Sequence, residues 1–173
     1  MTFDPTLWER HIALPDGRAV FVCPLRAEDA SLYPPFLAAV TPQDMRLRLF
    51  APVTEFSAAF IARFTHIDYA TAMAFVALDE ASGEMLGVAR LHDDADGASA
   101  EYAILVRSDL KGHGLGWQLM QLIIAYARHK GLRAVEGQVL RENTTMLDMC
   151  KQLGFEIGDD PEAAYIVRVR LAL

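Results

Sequence analysis

The sequence predicts a mixed α/β layer fold with one parallel crossover. Two observations carry this. Three short apolar runs, AMAFVAL (Ala72–Leu78), MLGVARL (Met85–Leu91) and AEYAILV (Ala100–Val106), follow one another through the turn-like DEASGE and DDADGAS, the pattern of a meander. A long amphipathic segment, Gly114–His129, then separates the third run from a fourth, AVEGQVL (Ala134–Leu140), which is the arrangement of a βαβ unit.

Each element has its own local reason. RHIAL and RAVFVCPL flank Pro15-Asp16-Gly17, so Trp8–Pro24 reads as a hairpin. Asp29–Ala39 reads as helical, broken near Pro34-Pro35. Thr41-Pro42 supplies an N-cap and a proline at the first helical position, opening a short helix through Leu49. Phe56, Phe60, Ile61 and Phe64 recur at helical spacing in a helix from about Thr54 to Phe64. In Gly114–His129 one stripe holds Leu115, Leu119, Leu122, Ile123 and Tyr126, and Gly131 is the expected left-handed cap. Asn143–Leu153 reads as a helix ended by Gly154, and Phe155–Ile157 and Tyr165–Leu171 as closing strands.

Composition narrows the class of function. The chain has 173 residues and a net charge of −7, with 53% hydrophobic and 23% charged residues, which is a globular composition and a length for one domain, residues 1–173. Residues 1–17 form an N-terminal extension and the start of the hairpin. The acidic balance argues against nucleic acid, which is bound by clustered lysines and arginines. The longest apolar runs, such as Leu122–Ala127, fall far short of the ~18 residues that span a bilayer. Two cysteines, Cys23 and Cys150, and no visible secretory signal point to a reducing, cytoplasmic location. His92, Asp94, Asp96 and Gly97 do not make a calcium loop, since His92 and Ala103 would stand where carboxylates are needed, and the histidines show no metal spacing, so no metal is expected.

The segment VRSDLKGHGLGWQLM, Val106–Met120, is the most informative. An apolar strand leads into Gly112-His113-Gly114-Leu115-Gly116 and directly on into the long helix. Glycines there allow a sharp turn and a close approach of backbone to ligand, and the free N–H groups and dipole of a helix start favour a phosphate or pyrophosphate. A P-loop is excluded because Trp117-Gln118 follow Gly116 where Lys-Ser/Thr is required, and the glycines at 112, 114 and 116 fit a dinucleotide fingerprint poorly. The Gln/Arg-x-x-Gly-x-Gly/Ala loop that cradles the pyrophosphate of coenzyme A fits Lys111–Gly116 except for lysine at its first position. A tight connection that binds nothing is the alternative.

With AEYAILV, KGHGLG, AVEGQVL, Asn143 and Leu153-Gly154-Phe155 in this order, the chain resembles the GNAT superfamily of acyl-CoA-dependent N-acetyltransferases from about Arg18 to Leu171. FTHIDYATAMAFVAL, GVARL, AEYAILVRSDLKGHGLG and LRENTTMLDMCKQLGF look like the catalytic domain of bacterial Pat-type protein lysine acetyltransferases. In many of those proteins this domain follows an acyl-CoA-synthetase-like region that the present sequence lacks, so the chain is a free-standing relative or an excised domain. The resemblance implies a GNAT fold, a central and mostly antiparallel sheet with one splayed parallel strand pair and helices on both faces. It implies acetyl-CoA as co-substrate and a lysine ε-amine of a protein such as an acyl-CoA synthetase as acceptor; charge and the short apolar runs already argue for no nucleic acid and no membrane partner. A small-molecule amine acetyltransferase and a non-catalytic acyl-CoA sensor are the rival readings.

Transfer to an amine needs a base, because a lysine ammonium with a pKa of about 10.4 must lose a proton before it attacks. Glu101 opens an otherwise apolar strand and shares a face with Ala103 and Leu105, so its pattern fits either a base or a solvated carboxylate, and the resemblance selects the base. By resemblance, Leu105 and Val106 offer main-chain groups to the pantetheine arm and the thioester carbonyl. Gly112, His113, Gly114, Leu115, Gly116 and Trp117 make up the pyrophosphate loop. Lys111 and Arg107 add charge or are simply solvated. Asn143 caps its helix and, by resemblance, contacts the CoA arm. Many GNAT enzymes place a tyrosine acid four residues before the glycine of Leu-Gly-Phe; that position here is Cys150, which either donates a proton or packs as a small buried side chain beside Met146 and Leu153.

Overall fold

The computed structural model describes residues 3–50 and 57–173. Its sheet has eight strands: β1 (Arg10–Ala13), β2 (Ala19–Pro24), β3 (Ala72–Asp79), β4 (Met85–Asp93), β5 (Ser99–Val106), β6 (Ala134–Leu140), β7 (Glu156–Asp159) and β8 (Ile166–Ala172). They lie in the order β1-β2-β3-β4-β5-β6-β8-β7. Neighbours are antiparallel except β5 and β6, which the βαβ unit makes parallel. The mixed fold with one parallel pair is as expected.

The helices divide between the two faces. Alternation along β3 sends Ala74 and Val76 to one side, where they pack with Phe36 and Leu37 of α1 (Tyr33–Ala38), Met45 of α2 (Pro42–Leu49) and Phe60 and Phe64 of α3 (Ala58–Thr65). Met73, Phe75 and Ala77 point to the other side, toward Leu115, Leu119 and Ile123 of α4 (Leu115–Lys130) and Leu147 of α5 (Thr144–Gln152).

Local signals explain most boundaries. Thr41 Oγ1 accepts the Asp44 N–H at 3.2 Å and Pro42 follows it, so α2 starts and stops where expected. α4 ends at Gly131, whose φ of 83° is left-handed. The expected break falls between Leu32 and Tyr33, just ahead of Pro34 and Pro35. A 3-10 turn over Ala27–Leu32 precedes them, and they occupy the first turn of α1, where the missing N–H costs nothing. The expected start of the next helix at Thr54 and its Phe56 lie outside the described residues; Ser57 caps the described part by accepting the Phe60 N–H at 3.1 Å.

The parallel ladder is short. It pairs Ser99 with Ala134, Ala100 with Val135 and Glu101 with Glu136, and then stops although both strands continue. Beyond Glu101, β5 is paired to β4 through Gly87 opposite Val106, so alternate main-chain groups on its other edge face a gap.

Candidate active site

That gap opens into a cavity of about 460 Å³. β5 supplies one wall from Glu101 to Val106, β6 the opposite wall through Gln138 and Val139, and α5 a third through Asn143, Met146 and Met149. α2 closes the end near Glu101 with Arg48, the loop before α4 contributes Lys111 and Gly112, and the first turn of α4 contributes Gly116. Glu101, Leu105, Val106, Lys111, Gly112, Gly116 and Asn143, all expected at the site, therefore share one wall system.

The other expected residues fall behind it. His113 Nδ1 lies 3.6 Å from Asp16 in the β1–β2 turn. Gly114 is the left-handed cap of α4, with φ 88°, and Leu115 is wholly buried in the core. Trp117 is half-buried on the first turn of α4. Cys150 has no exposed surface; its Sγ is 3.3 Å from the Tyr102 hydroxyl, and burial pushes its thiol up against the opposing pull of that hydrogen bond. The alternative of a small packed side chain describes it, because it meets the site only through Tyr102.

The loop suits an anion through its backbone. The first turn of α4 carries no acidic residue, and its first carbonyl bond is Gln118 N–H to Gly114 O at 3.2 Å, leaving the N–H groups of residues 115–117 at the helix end. A Cβ built on Gly112 or Gly116 would meet nothing within 4 Å, so both positions leave the lip open. The basic side chains, by contrast, are already engaged. Lys111 Nζ lies 2.5 Å from Asp44 Oδ1, whose carboxylate also accepts the Ser108 hydroxyl at 2.6 Å. Arg107 pairs with Asp109 at 2.9 Å and Glu84 at 3.4 Å. Asn143 keeps both roles open, since its Oδ1 accepts the Met146 N–H at 3.3 Å while the residue lines the cavity.

Glu101 makes no hydrogen bond or ion pair among the described residues, although its carboxylate is accessible from the cavity. Burial of its surroundings raises its pKa; Asp94 and Glu136 raise it further, while Arg48 and His92 pull the other way. An unengaged carboxylate with raised proton affinity suits proton abstraction.

Three neighbours were not singled out from sequence. Tyr102 and Arg48 line the cavity, and Arg90 lies beside it. Signals existed for the two arginines. Arg48 falls three residues after buried Met45 on the core-facing stripe of α2, and Arg90 interrupts the apolar run of β4.

Comparison with known proteins accords with this geometry. The family model described as Acetyltransferase (GNAT) family matches residues 43–155. Acetyltransferase PA5475 of Pseudomonas aeruginosa is 34% identical over 163 residues, covering 93% of this chain and 88% of its own. The L-methionine sulfoximine/L-methionine sulfone acetyltransferase of P. aeruginosa is 35% identical over 83 residues, 46% of this chain and 48% of that one. Among solved structures, the GNAT domain of S. lividans PAT superposes with a TM-score of 0.89 at 28% identity, covering 99% of this chain and 100% of that chain.

Proposed function

The chain belongs to the GNAT family of acetyltransferases, and from that premise we propose that it acetylates the ε-amine of a lysine on a protein such as an acyl-CoA synthetase, with Glu101 as general base. The observation that carries the base assignment is the unengaged carboxylate at the last rung of the parallel ladder, where the cavity begins. The likeness to the S. lividans PAT domain over essentially the whole of both chains supports the protein acceptor.

Acetyl-CoA supplies the activated thioester carbonyl. In the proposed mechanism Glu101 takes the ammonium proton of the lysine, directly or through one water, so that the neutral nitrogen can attack. As the C–N bond forms and the C–S bond breaks, the Val106 main-chain N–H, on the edge of β5 that faces the gap, stabilises charge on the carbonyl oxygen, typically worth about 3 kcal/mol, while the Leu105 N–H is turned to β4. Gly112, Gly116 and the helix-end N–H groups hold the pyrophosphate, with His113, Gly114, Leu115 and Trp117 shaping the loop and Lys111 able to exchange Asp44 for a phosphate. Asn143 orients the pantetheine arm. The departing thiolate is a good leaving group and takes up the second proton, which the nitrogen sheds on becoming an amide, so no dedicated acid is required; Cys150 packs behind Tyr102.

A second reading has one observation in its favour: partial likeness to an enzyme named for amino-acid-like acceptors. Thiol release from acetyl-CoA, measured with a panel of acyl-CoA synthetases and with free amino acids, and lysine sites mapped by mass spectrometry, separates the two. Modification of a synthetase lysine is the expected result. Release with free amino acids alone would overturn the protein acceptor and keep the base.

A further inference from the structure

Two guanidinium groups, those of Arg48 and Arg90, lie on the Glu101 face of the sheet, and neither makes an ion pair among the described residues. In the antiparallel register of β4 and β5, Glu101 stands opposite His92 and Ala103 opposite Arg90. Arg90 is therefore a diagonal neighbour of Glu101 on one face, with Cα atoms roughly 7–8 Å apart by sheet geometry. Its Nε and Nη2 are buried without a hydrogen bond of ordinary geometry, the neutral Tyr33 hydroxyl lies beside it, and its guanidinium lies over the Phe64 ring at 5.1 Å. Arg48 comes down from α2 on the same side and makes no hydrogen bond or ion pair among the described residues.

The two arginines line one small cavity of about 20 Å³ together with Tyr33, Phe64 and Ala103. Arg48 also stands in the wall of the main cavity and so joins the two. The small cavity has room for about one water, which satisfies a hydrogen bond but brings no charge. Two like charges half-withdrawn from solvent, with one free carboxylate near them, leave the face short of an anion. Coenzyme A phosphates do not meet the need: the glycine loop follows Val106, about 17 Å along the strand from Glu101.

We propose that Arg48, in the wall of the main cavity with Arg90 held behind it, forms a subsite for a carboxylate carried by the amine acceptor, placed so that the amine meets Glu101. The planar guanidinium fork matches a carboxylate, and the short step from Arg90 to Glu101 requires that carboxylate to sit close to the reacting nitrogen. A free amino acid supplies it as its α-carboxylate, and a protein lysine as an acidic neighbouring side chain. This assignment rests on Glu101 as the base.

The test is calorimetric binding to the CoA-saturated protein, with thiol release from acetyl-CoA read on the same acceptors. The twenty amino acids are compared with their amides, and lysine peptides flanked by Glu with those flanked by Gln. At least one carboxylate-bearing member should bind about 10-fold or more tighter than its neutral partner, and which arm responds identifies the source. Arg48→Gln and Arg90→Gln should bring that ratio close to one. Arg48→Lys and Arg90→Lys, which keep charge but lose the fork, should recover only part of it. Melting temperature and CoA affinity of the variants should stay near wild type, whereas a purely structural arginine would lower the first. Equal binding of every acid and its neutral partner overturns the subsite even if thiol is released. Discrimination without any thiol release keeps the subsite and overturns the role of Glu101.

Discussion

The ring of Tyr102 fills the space that a side chain on residue 137 would need: a Cβ built on Gly137 would fall 2.3 Å from Tyr102 Cε1. These residues directly follow the last parallel pair, Glu101 and Glu136. The ring lies edge-on to Phe155, with centroids 5.9 Å apart, and its hydroxyl meets Cys150. Tyr102 thus acts as a wedge where β5 and β6 separate, and Gly137 is what lets it enter.

Gly137→Ala should therefore force the ring aside and destabilise the protein by about 1–3 kcal/mol, the usual range for overpacking. Chemical denaturation measures it. Combined with Tyr102→Ala, the alanine at 137 should cost much less than it does alone, giving a coupling above about 0.5 kcal/mol. Additive losses would show that the contact does not set the gap.

Glu101→Gln should lower kcat about 100-fold while leaving acetyl-CoA affinity within about twofold. The pH–rate profile of the wild type should rise through a midpoint above the ordinary glutamate value of about 4.3, because burial favours the protonated form. The stability effect has a definite sign. A carboxyl group whose pKa is raised by folding contributes stability below its unfolded value and loses it as pH rises through the folded one. At pH 7 the glutamine variant should thus melt higher than wild type, and the gap should close as pH falls below about 4.

Gly116→Val tests the loop without disturbing the fold. A Cβ at 116 meets no atom within 4 Å, so the melting temperature should hold, while the methyl groups would stand where a ligand must approach the helix end. The KM for acetyl-CoA should rise about 10-fold or more with kcat less affected. Gly114→Ala should instead destabilise by about 1 kcal/mol, since the backbone there has φ 88°.

Asp44→Asn should release Lys111. Burial works to raise the Asp44 pKa, but hydrogen bonds from Lys111 and Ser108 outweigh it and the carboxyl ends below its ordinary value. Its contribution to stability is present above the unfolded pKa, about 3.9, and is lost as pH falls through the depressed folded value. The variant should lose about 1 kcal/mol at neutral pH, within the range for one charge-assisted pair of which the lysine is largely exposed. Its KM for acetyl-CoA should fall severalfold at low salt, an advantage that 0.5 M salt should erase.

Most of the fold was legible because its elements announce themselves locally. The apolar runs gave β3, β4, β5 and β6 within a residue or two, and Thr41-Pro42 and Gly131 marked helix ends. Pro34-Pro35 marked the break to within two residues but not its form, a 3-10 turn that hands over to an α-helix with both prolines in its first turn. The site was legible where chemistry is tied to one segment, as in the glycine loop and Glu101. It was hidden where it depends on register or on what faces what. Nothing along the chain says that Lys111 is held by Asp44, 67 residues away, that Arg90 lies diagonal to Glu101, or that the Cys150 thiol points at a tyrosine.

The three-rung ladder between β5 and β6 makes the sheet two plates joined along a short seam, five strands on one side and three on the other. Much of what holds the plates together is side-chain packing through α4 and α5 rather than strand hydrogen bonds. A molecule lodged in the gap and bonded to both edges would then act as mortar. Its binding should slow amide hydrogen exchange throughout β6 and β8, including at residues it does not touch, because local opening along the seam exposes the smaller plate as a unit.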